Sequence, residues 1–177
     1  MGILSWVSYV TTKAAITNQT MKQMDQAASS VAQAADVWFL DRRRDLAGWA
    51  QDSIYGKATD TGFLGKQMLR KAGETLESIK YSYTYYEAIS LTDLEGKVIA
   101  SSLPETVGTS IAGTEFLNAA LAGEIVLYDS FRSELSGEPV VVTAAPVSAE
   151  DKKTKEATIT GVLFSIISLS DFTERFV

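Results

Sequence analysis

The 177-residue sequence contains no cysteine and no histidine. A disulfide framework, a thiolate zinc site and every catalytic triad built on histidine are therefore excluded. The sequence also has no apolar run of about 18 residues, the length that predicts a membrane-spanning helix. Acidic residues outnumber basic ones, 22 against 16, so the net charge of −6 offers no footprint for nucleic-acid binding.

The composition is that of an ordinary globular protein, with 46% apolar and 21% charged residues. This length suffices for one domain with a proper core, or for one domain with a long appendage. The lack of cysteine suits an extracytoplasmic location.

The first part of the chain predicts one long helix. Residues 3–47 contain neither glycine nor proline, and apolar residues recur there with alternating spacings of four and three. A 3.5-residue period favours a coiled coil, and we expect two chains to pair in parallel as a homodimer. We assign residues 1–55 to this dimerisation and signalling helix. The residues of the seam are Ile3, Val7, Val10, Ala14, Thr17, Met21, Met24, Ala28, Val31, Ala35 and Trp38.

Residues 56–177 carry the signals of a second, mixed domain. Turn residues separate β-branched and aromatic stretches of period two, which favours an antiparallel sheet with short helices. The predicted fold class is therefore α+β. We predict helices over 62–80, with a turn at Gly73, over 115–122, closed by Gly123, and over 171–177, as an exit helix. Strands are predicted from Tyr81 and over 124–131, 139–147 and 158–169. A hairpin turn is predicted over 92–97 and an exposed loop over 149–156.

This order of elements resembles a PAS-like domain, and several segments resemble the Cache family of extracytoplasmic sensor domains. The resemblance covers most of residues 35–177, and only one PAS-like unit follows the helices, as in single-Cache domains. The matching segments are LDRRRDLAGWA (Leu40–Ala50), ISLTDLEGKVIASS (Ile89–Ser102), GTSIAGTEFLNAALAGE (Gly108–Glu124), SELSGEPVVVTAAPV (Ser133–Val147) and GVLFSIISLSDFTERF (Gly161–Phe176).

The resemblance implies a periplasmic module of a bacterial chemoreceptor or a related transmembrane receptor. Such a module binds a small ligand and transmits a helix displacement across the inner membrane. The segments Ile3–Val7 and Phe176–Val177 look like the outer ends of two flanking membrane helices. The output domain stays open among a chemoreceptor, a histidine kinase and a cyclic-dinucleotide enzyme.

No motif indicates catalysis. The sequence has no GxSxG elbow, no Walker A loop and no GxGxxG. Asp41 and Asp45 share a helix face, but neither histidine nor a second carboxylate pair completes a metal site. We therefore expect no enzyme, no metal and no cofactor.

Candidate ligand-binding residues come from strands and turns around the expected pocket. Arg132 is either a carboxylate clamp or a solvent-facing residue paired with Glu134 or Asp129; alternation turns it away from Phe131 and Ser133 unless a bulge intervenes. Tyr81, Tyr83 and Tyr85 would share one strand face, as core packing or as pocket hydroxyls.

The hydroxyls of Thr143 and Ser165 lie in apolar strands and need a partner, which can be backbone, water or ligand.

The Cache resemblance bears on the ligand. Amino-acid-sensing members carry aromatic residues before the short helix, of which Phe116 alone is kept, and an acid that grips the ligand ammonium where this sequence has Ser133. An amino acid would leave its ammonium unpaired, so we expect a short-chain carboxylate instead. The alternative is a ligand-free dimerisation spacer, or a module that recognises a periplasmic protein.

Overall fold

The computed structural model describes residues 2–150, 156–170 and 173, with side chains for all of these except 2–18, 20 and 129. Its helices and strands confirm the predicted α+β class. The chain divides into two compact units, one formed by the first helix up to Trp38 and the other beginning at Phe39. The elements are α1 (Gly2–Ala50), α2 (Ser53–Ala58), α3 (Phe63–Ser82), β1 (Tyr86–Thr92), β2 (Val98–Ser101), a 3₁₀ turn (Pro104–Thr106), α4 (Glu115–Leu121), β3 (Val126–Arg132), β4 (Pro139–Glu150) and β5 (Ala157–Ser168).

Helix α1 is continuous over its 49 residues, as the absence of glycine and proline up to Ala47 predicts. On its described surface the seam residues Met21 and Met24 are 61% and 66% exposed in the single chain. No helix in the described part of the chain combines the length and hydropathy that a bilayer crossing requires. The proposed division of the chain at residue 55 stays a prediction.

The sheet has five strands in the order β2-β1-β5-β4-β3, and every neighbouring pair is antiparallel. The predicted hairpin between β1 and β2 is confirmed. Its turn is closed by the backbone N–H of Lys97, which donates to Asp93 Oδ1 at 2.8 Å. Gly96 has a φ of +81°, a conformation that glycine adopts without strain.

Both faces of the sheet are covered. Helix α4 packs on one face, where Val98, Val142, Ala144 and Phe164 form a buried cluster with Phe116, Leu117 and Ala120. Strand alternation turns Ile89, Leu91, Leu163 and Ile167 to the other face. There α2 packs against β4 and α3 against β1 and β2, and these side chains are fully buried.

The close approach of α2 to β4 depends on Gly56. A Cβ atom at this position would lie 2.5 Å from the Ser148 carbonyl oxygen, which is too near for any other residue. Asp52 begins the helix by accepting the Ile54 backbone N–H at 3.0 Å, the usual role of an N-cap carboxylate.

The prediction of a strand from Tyr81 is wrong. Helix α3 runs to Ser82 without a turn at Gly73, and its capping N–H at Tyr83 bonds to the carbonyls of Ile79 and Lys80. Burial of Ala72 and Leu76 on the helix outweighs the strand preference of the tyrosines. Tyr81 is consequently 90% exposed on the last helical turn.

Other boundaries differ less. The sequence did not predict α2, which is only six residues long. The expected loop over 149–156 is wrong at its start, because β4 continues to Glu150 opposite Ala157 of β5. The predicted helix over 115–122 is confirmed as α4, which is followed by Gly123 with a φ of +94°. The predicted exit helix over 171–177 lies outside the described residues, apart from residue 173.

A tyrosine cluster, defined here as Tyr83, Tyr85 and Tyr86 with Trp49, joins the start of β1 to the last turn of α1. Its ring centroids lie 4.7–6.3 Å apart. The Arg42 guanidinium lies 5.0 Å from the Tyr85 ring centroid, a cation–π geometry, and its Nε bonds to Asp45 at 3.1 Å. Burial raises the pKa of Tyr85 and Tyr86, and Arg42 opposes part of the rise at Tyr85.

These shifts predict that stability falls in alkali. Burial raises the pKa of Tyr55 as well, so unfolded chains release the protons of Tyr55 and Tyr86 near pH ~10 while folded chains retain them. The stability that these two groups contribute is present below pH ~10, and each rise of one pH unit above it removes about 1.4 kcal/mol per tyrosine. The raised pKa of Tyr85 acts in the same direction. Urea unfolding from about pH 9 to about pH 11, on either side of the ordinary tyrosine pKa, measures how the free energy of unfolding changes with pH.

The variant Tyr86→Phe should reduce that slope by about one group. Tyr81→Phe is the matched control, because the Tyr81 side chain is exposed and should leave the slope unchanged. A free energy of unfolding that stays level across this alkaline range would contradict the prediction.

Candidate functional site

A cavity of about 620 Å³ opens on the α4 face of the sheet. It lies within the unit that begins at Phe39. Its walls are the sheet, the first turn of α4, the segment 106–114 and the turn 133–138 that connects β3 to β4. This volume is within the usual range of small-molecule sites, which is roughly 300–1,000 Å³.

The floor of the cavity is apolar. It is formed by side chains that alternate along β1, β4 and β5, namely Ala88, Val142, Phe164 and Ile166. The one hydroxyl on this floor belongs to Ser90, whose Oγ lies 2.9 Å from Ser101 Oγ. Thr106 Oγ1 lies 2.8 Å from the same Ser101 atom, so the hydroxyls beneath the cavity already have protein partners.

Aromatic side chains form one side of the cavity. The Phe116 ring centroid lies 6.0 Å from that of Tyr128 and 5.9 Å from that of Phe164. The Tyr128 hydroxyl donates to Glu115 Oε2 at 2.9 Å, which joins β3 to the first turn of α4. This contact leaves an apolar wall with a polar rim.

A bulge in β3 orients the opposite side. Tyr128 pairs with Val142, but Phe131 pairs with Val140, so the register shifts by one residue between them. Val140 and Val142 share a face of β4, and the extra residue therefore brings Phe131 onto the cavity face beside Tyr128. This bulge precedes Phe131, so it does not change the alternation of Phe131 with Arg132. Phe131, Arg132 and Ser133 all line the cavity, at the point where β3 ends and the turn 133–138 begins.

Arg132 is the single basic residue among the described residues that line the cavity. One of its N–H groups, at Nη1, donates to the Gly137 carbonyl at 2.8 Å across the turn. A guanidinium has five N–H donors, so this contact uses only part of its capacity. Acidic side chains at the same rim belong to Glu115 and Glu134.

Ser133 organises the turn 133–138. Its side chain accepts the backbone N–H groups of Leu135 and Ser136, at 3.1 and 3.4 Å, and donates to Glu87 Oε1 at 2.7 Å. Its own backbone N–H bonds to Glu138 O at 2.9 Å. The hydroxyl that the sequence marks for ligand contact is therefore occupied within the protein.

The remaining predicted site residues lie elsewhere. Thr143 and Ser165 are fully buried on the opposite face of the sheet, where their hydroxyl oxygens are 2.8 Å apart. Tyr83 and Tyr85 belong to the tyrosine cluster, and Tyr81 lies on the last turn of α3. The structure thus brings together Phe116, Phe131, Arg132 and Ser133 around the cavity; a ligand role for any of the nine stays a prediction.

Sequence reasoning missed Tyr128, Glu115 and Glu87. Tyr128 and Glu115 carry the signal of a strand and a helix start, but no spacing shows that they bond to each other. Glu87 lies beside a register shift in the pairing of β1 with β5, and bulges leave no clear mark in a single sequence. Among the described residues no group of three acidic side chains could hold a metal ion.

Neither a family model nor a curated protein matches the chain. Solved structures do match. The sensor domain of the V. cholerae histidine kinase DctB is similar over 92% of this chain and 60% of its own length, with 20% identity and a TM-score of 0.71. The sensory domain of the Campylobacter jejuni chemoreceptor Tlp3 with isoleucine bound is similar over 93% of this chain and 65% of its own length, with 13% identity and a TM-score of 0.64.

An extracellular ligand-binding receptor from Desulfohalobium retbaense matches 83% of this chain and 26% of its own length, at 16% identity and a TM-score of 0.55. The chain thus spans less than two thirds of each of these domains. At such identities the likeness concerns the fold, and the fold is that of Cache-type sensor domains, as the resemblance implied.

The contact between Thr143 and Ser165 predicts a double-mutant cycle. Thr143→Val or Ser165→Ala alone leaves a buried hydroxyl without a partner, which should cost about 1–3 kcal/mol. The double variant removes both hydroxyls and should cost less than the sum of the two. Urea unfolding of the four proteins measures the cycle, and strictly additive costs would contradict the mutual hydrogen bond.

Proposed function

We propose that this chain is the extracytoplasmic ligand-binding module of a transmembrane receptor of the chemoreceptor type. The observation that carries the proposal is the cavity of about 620 Å³ on the α4 face, with an apolar floor and a rim of polar side chains. Such a combination binds the apolar body of a small molecule and orients its polar group. The fold shared with sensor domains of histidine kinases and chemoreceptors supports the same class.

The ligand in this proposal is a short-chain carboxylate. Its alkyl part would lie on Val142, Phe164 and Ile166, and its carboxylate would bind the unused donors of Arg132 at the rim. Guanidinium and carboxylate have matching planar geometry and form charge-assisted hydrogen bonds. The nearby carboxylate of Glu115 accepts a hydrogen bond from Tyr128, and this bond restrains it from turning toward the bound anion.

Amino acids are the weaker candidates in this proposal. Isoleucine is bound in the similar Tlp3 domain, but an α-ammonium group needs acceptors, and the Ser133 hydroxyl already donates to Glu87. Glu87 itself is not among the residues that line the cavity. An ammonium group at Ser133 would therefore lack a carboxylate partner, because the carboxylates that line the cavity, those of Glu115 and Glu134, lie at its rim.

The proposed mechanism is a population shift and not catalysis. Ligand would favour the state in which the segment 106–114, α4 and the turn 133–138 close over the sheet, and this state would displace the helices that lead to the membrane. Only a difference in affinity between the two states can drive that change. The chain offers no histidine or cysteine for nucleophilic or general-base chemistry.

A thermal-shift screen against C2–C6 carboxylates, amino acids, purines and polyamines tests the ligand class. At about 100 times Kd a true ligand adds roughly 2.7 kcal/mol to the free energy of unfolding, which raises the midpoint by several degrees. We expect carboxylates to be the active class, and Arg132→Gln to lose most of that shift. Arg70→Gln is the matched control, because Arg70 lies on the exposed surface of α3.

Each class in the screen decides between alternatives. A shift with amino acids would overturn the argument from Ser133, and a carboxylate shift that survives Arg132→Gln would remove Arg132 from the site. Silence across the screen would favour the alternative of a spacer, or of a module that recognises a periplasmic protein.

The homodimer is tested through the seam of α1. Met24 is exposed in the single chain, and in a parallel pair Met24→Glu would place two like charges opposite each other. We expect sedimentation to show a dimer for the unmodified chain and a monomer for Met24→Glu. Gln23→Glu adds the same charge outside the seam and should leave the dimer intact; an unchanged mass for both variants would exclude the predicted interface.

A further inference from the structure

Two bulges, one in β1 and one in β3, lie at the same end of the sheet. Tyr86 pairs with Ile167 and Ala88 with Ile166, so Glu87 is an extra residue in β1. The second bulge lies in β3 before Phe131. A bulge redirects the side chain of its extra residue, and here the redirected Glu87 carboxylate reaches Ser133 at 2.7 Å.

This hydrogen bond holds a wall of the cavity. Ser133, Glu134 and Leu135 line the cavity, and Leu135 also lines an open groove whose surface includes Glu87. Because β4 and β5 separate β3 from β1 within the sheet, the ladder itself does not join the turn to β1. The bond between Ser133 and Glu87 makes that connection across the end of the sheet.

The carboxylate of Glu87 is incompletely paired. Its Oε1 accepts from Ser133, whereas Oε2 is buried and has no hydrogen-bond partner among the described residues. A buried acceptor without a partner is costly, and it regains hydrogen bonds once water reaches it. An arrangement in which the turn moves away from β1 would hydrate Oε2 at the expense of the hydrogen bond to Ser133.

The residues that precede Glu87 in the chain contact helix α1. Tyr85 and Tyr86 immediately precede it, and Tyr86 lies 5.8 Å from Trp49 between ring centroids. The Arg42 guanidinium lies 5.0 Å from the Tyr85 ring centroid. A shift of β1 at Glu87 would therefore act on two side chains of α1.

We propose that Glu87 is a positioning residue that couples the cavity wall to the end of α1, through Ser133 on one side and the tyrosine cluster on the other. This inference rests on the proposed function, since it supplies the route by which an occupied cavity acts on the helix. Coupling requires an element with two arrangements that both sites bias, and the proposal assigns this part to the turn 133–138 and its contact with Glu87. Occupancy favours one arrangement of the turn, and the tyrosine cluster responds to the same contact.

The absence of cysteine allows a test that needs no knowledge of the ligand. Ile111→Cys places a single thiol at the cavity, and butyl methanethiosulfonate then attaches a butyl group there through a mixed disulfide. Trp6→Phe and Trp38→Phe leave Trp49 as the single tryptophan of the full chain. The emission maximum and acrylamide quenching of Trp49 are measured before and after the modification.

We expect filling of the cavity to change the Trp49 signal, and Glu87→Gln and Ser133→Ala each to reduce the response roughly fivefold, the factor for loss of one hydrogen bond of about 1 kcal/mol. Glu138→Gln and Ser136→Ala are the matched controls. They make the same chemical changes at side chains of the same turn that take no part in the hydrogen bond between Ser133 and Glu87, and should leave the response intact. A butyl group at Glu95→Cys, in the turn between β1 and β2, should give no response.

An unchanged Trp49 signal after modification would overturn the inference. So would a response in Glu87→Gln and Ser133→Ala as large as in the protein that retains both Glu87 and Ser133. Ser133→Ala keeps the test decisive where Glu87→Gln does not fold, because it removes the same hydrogen bond from the other side. Failure of this coupling leaves the ligand screen unaffected. Conversely, a silent screen leaves the covalent test readable, so the two failures are distinguishable.

Discussion

Burial of the sheet on both faces is the constraint on which the rest of the structure depends. Successive side chains of β1, β4 and β5 point to opposite faces, so each residue lies either on the α4 face, which holds the cavity, or against the layer of α2 and α3. Ser90 and Phe164 fall on the first face, whereas Thr143 and Ser165 fall on the second. The face on which a polar residue of a central strand lies, which its position along the strand sets, therefore decides whether its side chain can reach the cavity.

The two bulges relax this constraint at one end of the sheet. The bulge in β3 brings Phe131 onto the cavity face beside Tyr128, and the bulge at Glu87 directs a carboxylate across the end of the strands. Without them alternation would separate the same residues. The hydrogen bond between the cavity wall and β1 thus depends on local departures from a regular sheet, which are common next to functional sites.

The sequence predicts the features that local signals encode. The run without glycine or proline, the Thr92–Lys97 turn and the glycine after α4 give the long helix, the hairpin and the short helix correctly. Tertiary packing decides the rest: α3 extends through Tyr81 despite its strand preference, and the Thr143 hydroxyl lies beside that of Ser165 on the face away from the cavity. Four of the nine candidate site residues line the cavity. Phe131, Arg132 and Ser133 adjoin a turn that the sequence shows, and Phe116 lies in the short helix that it also shows. The position of Glu87 depends on a bulge that the sequence does not display.

The central claim is that a small molecule occupies the α4 face of the sheet. The most direct measurement is NMR chemical-shift mapping of the full chain with the compound that gives the largest thermal shift. The account predicts perturbed signals at Ala88, Ser90 and Ile166, on the cavity face. Perturbations confined to Thr143 and Ser165, or to helix α1, would contradict it.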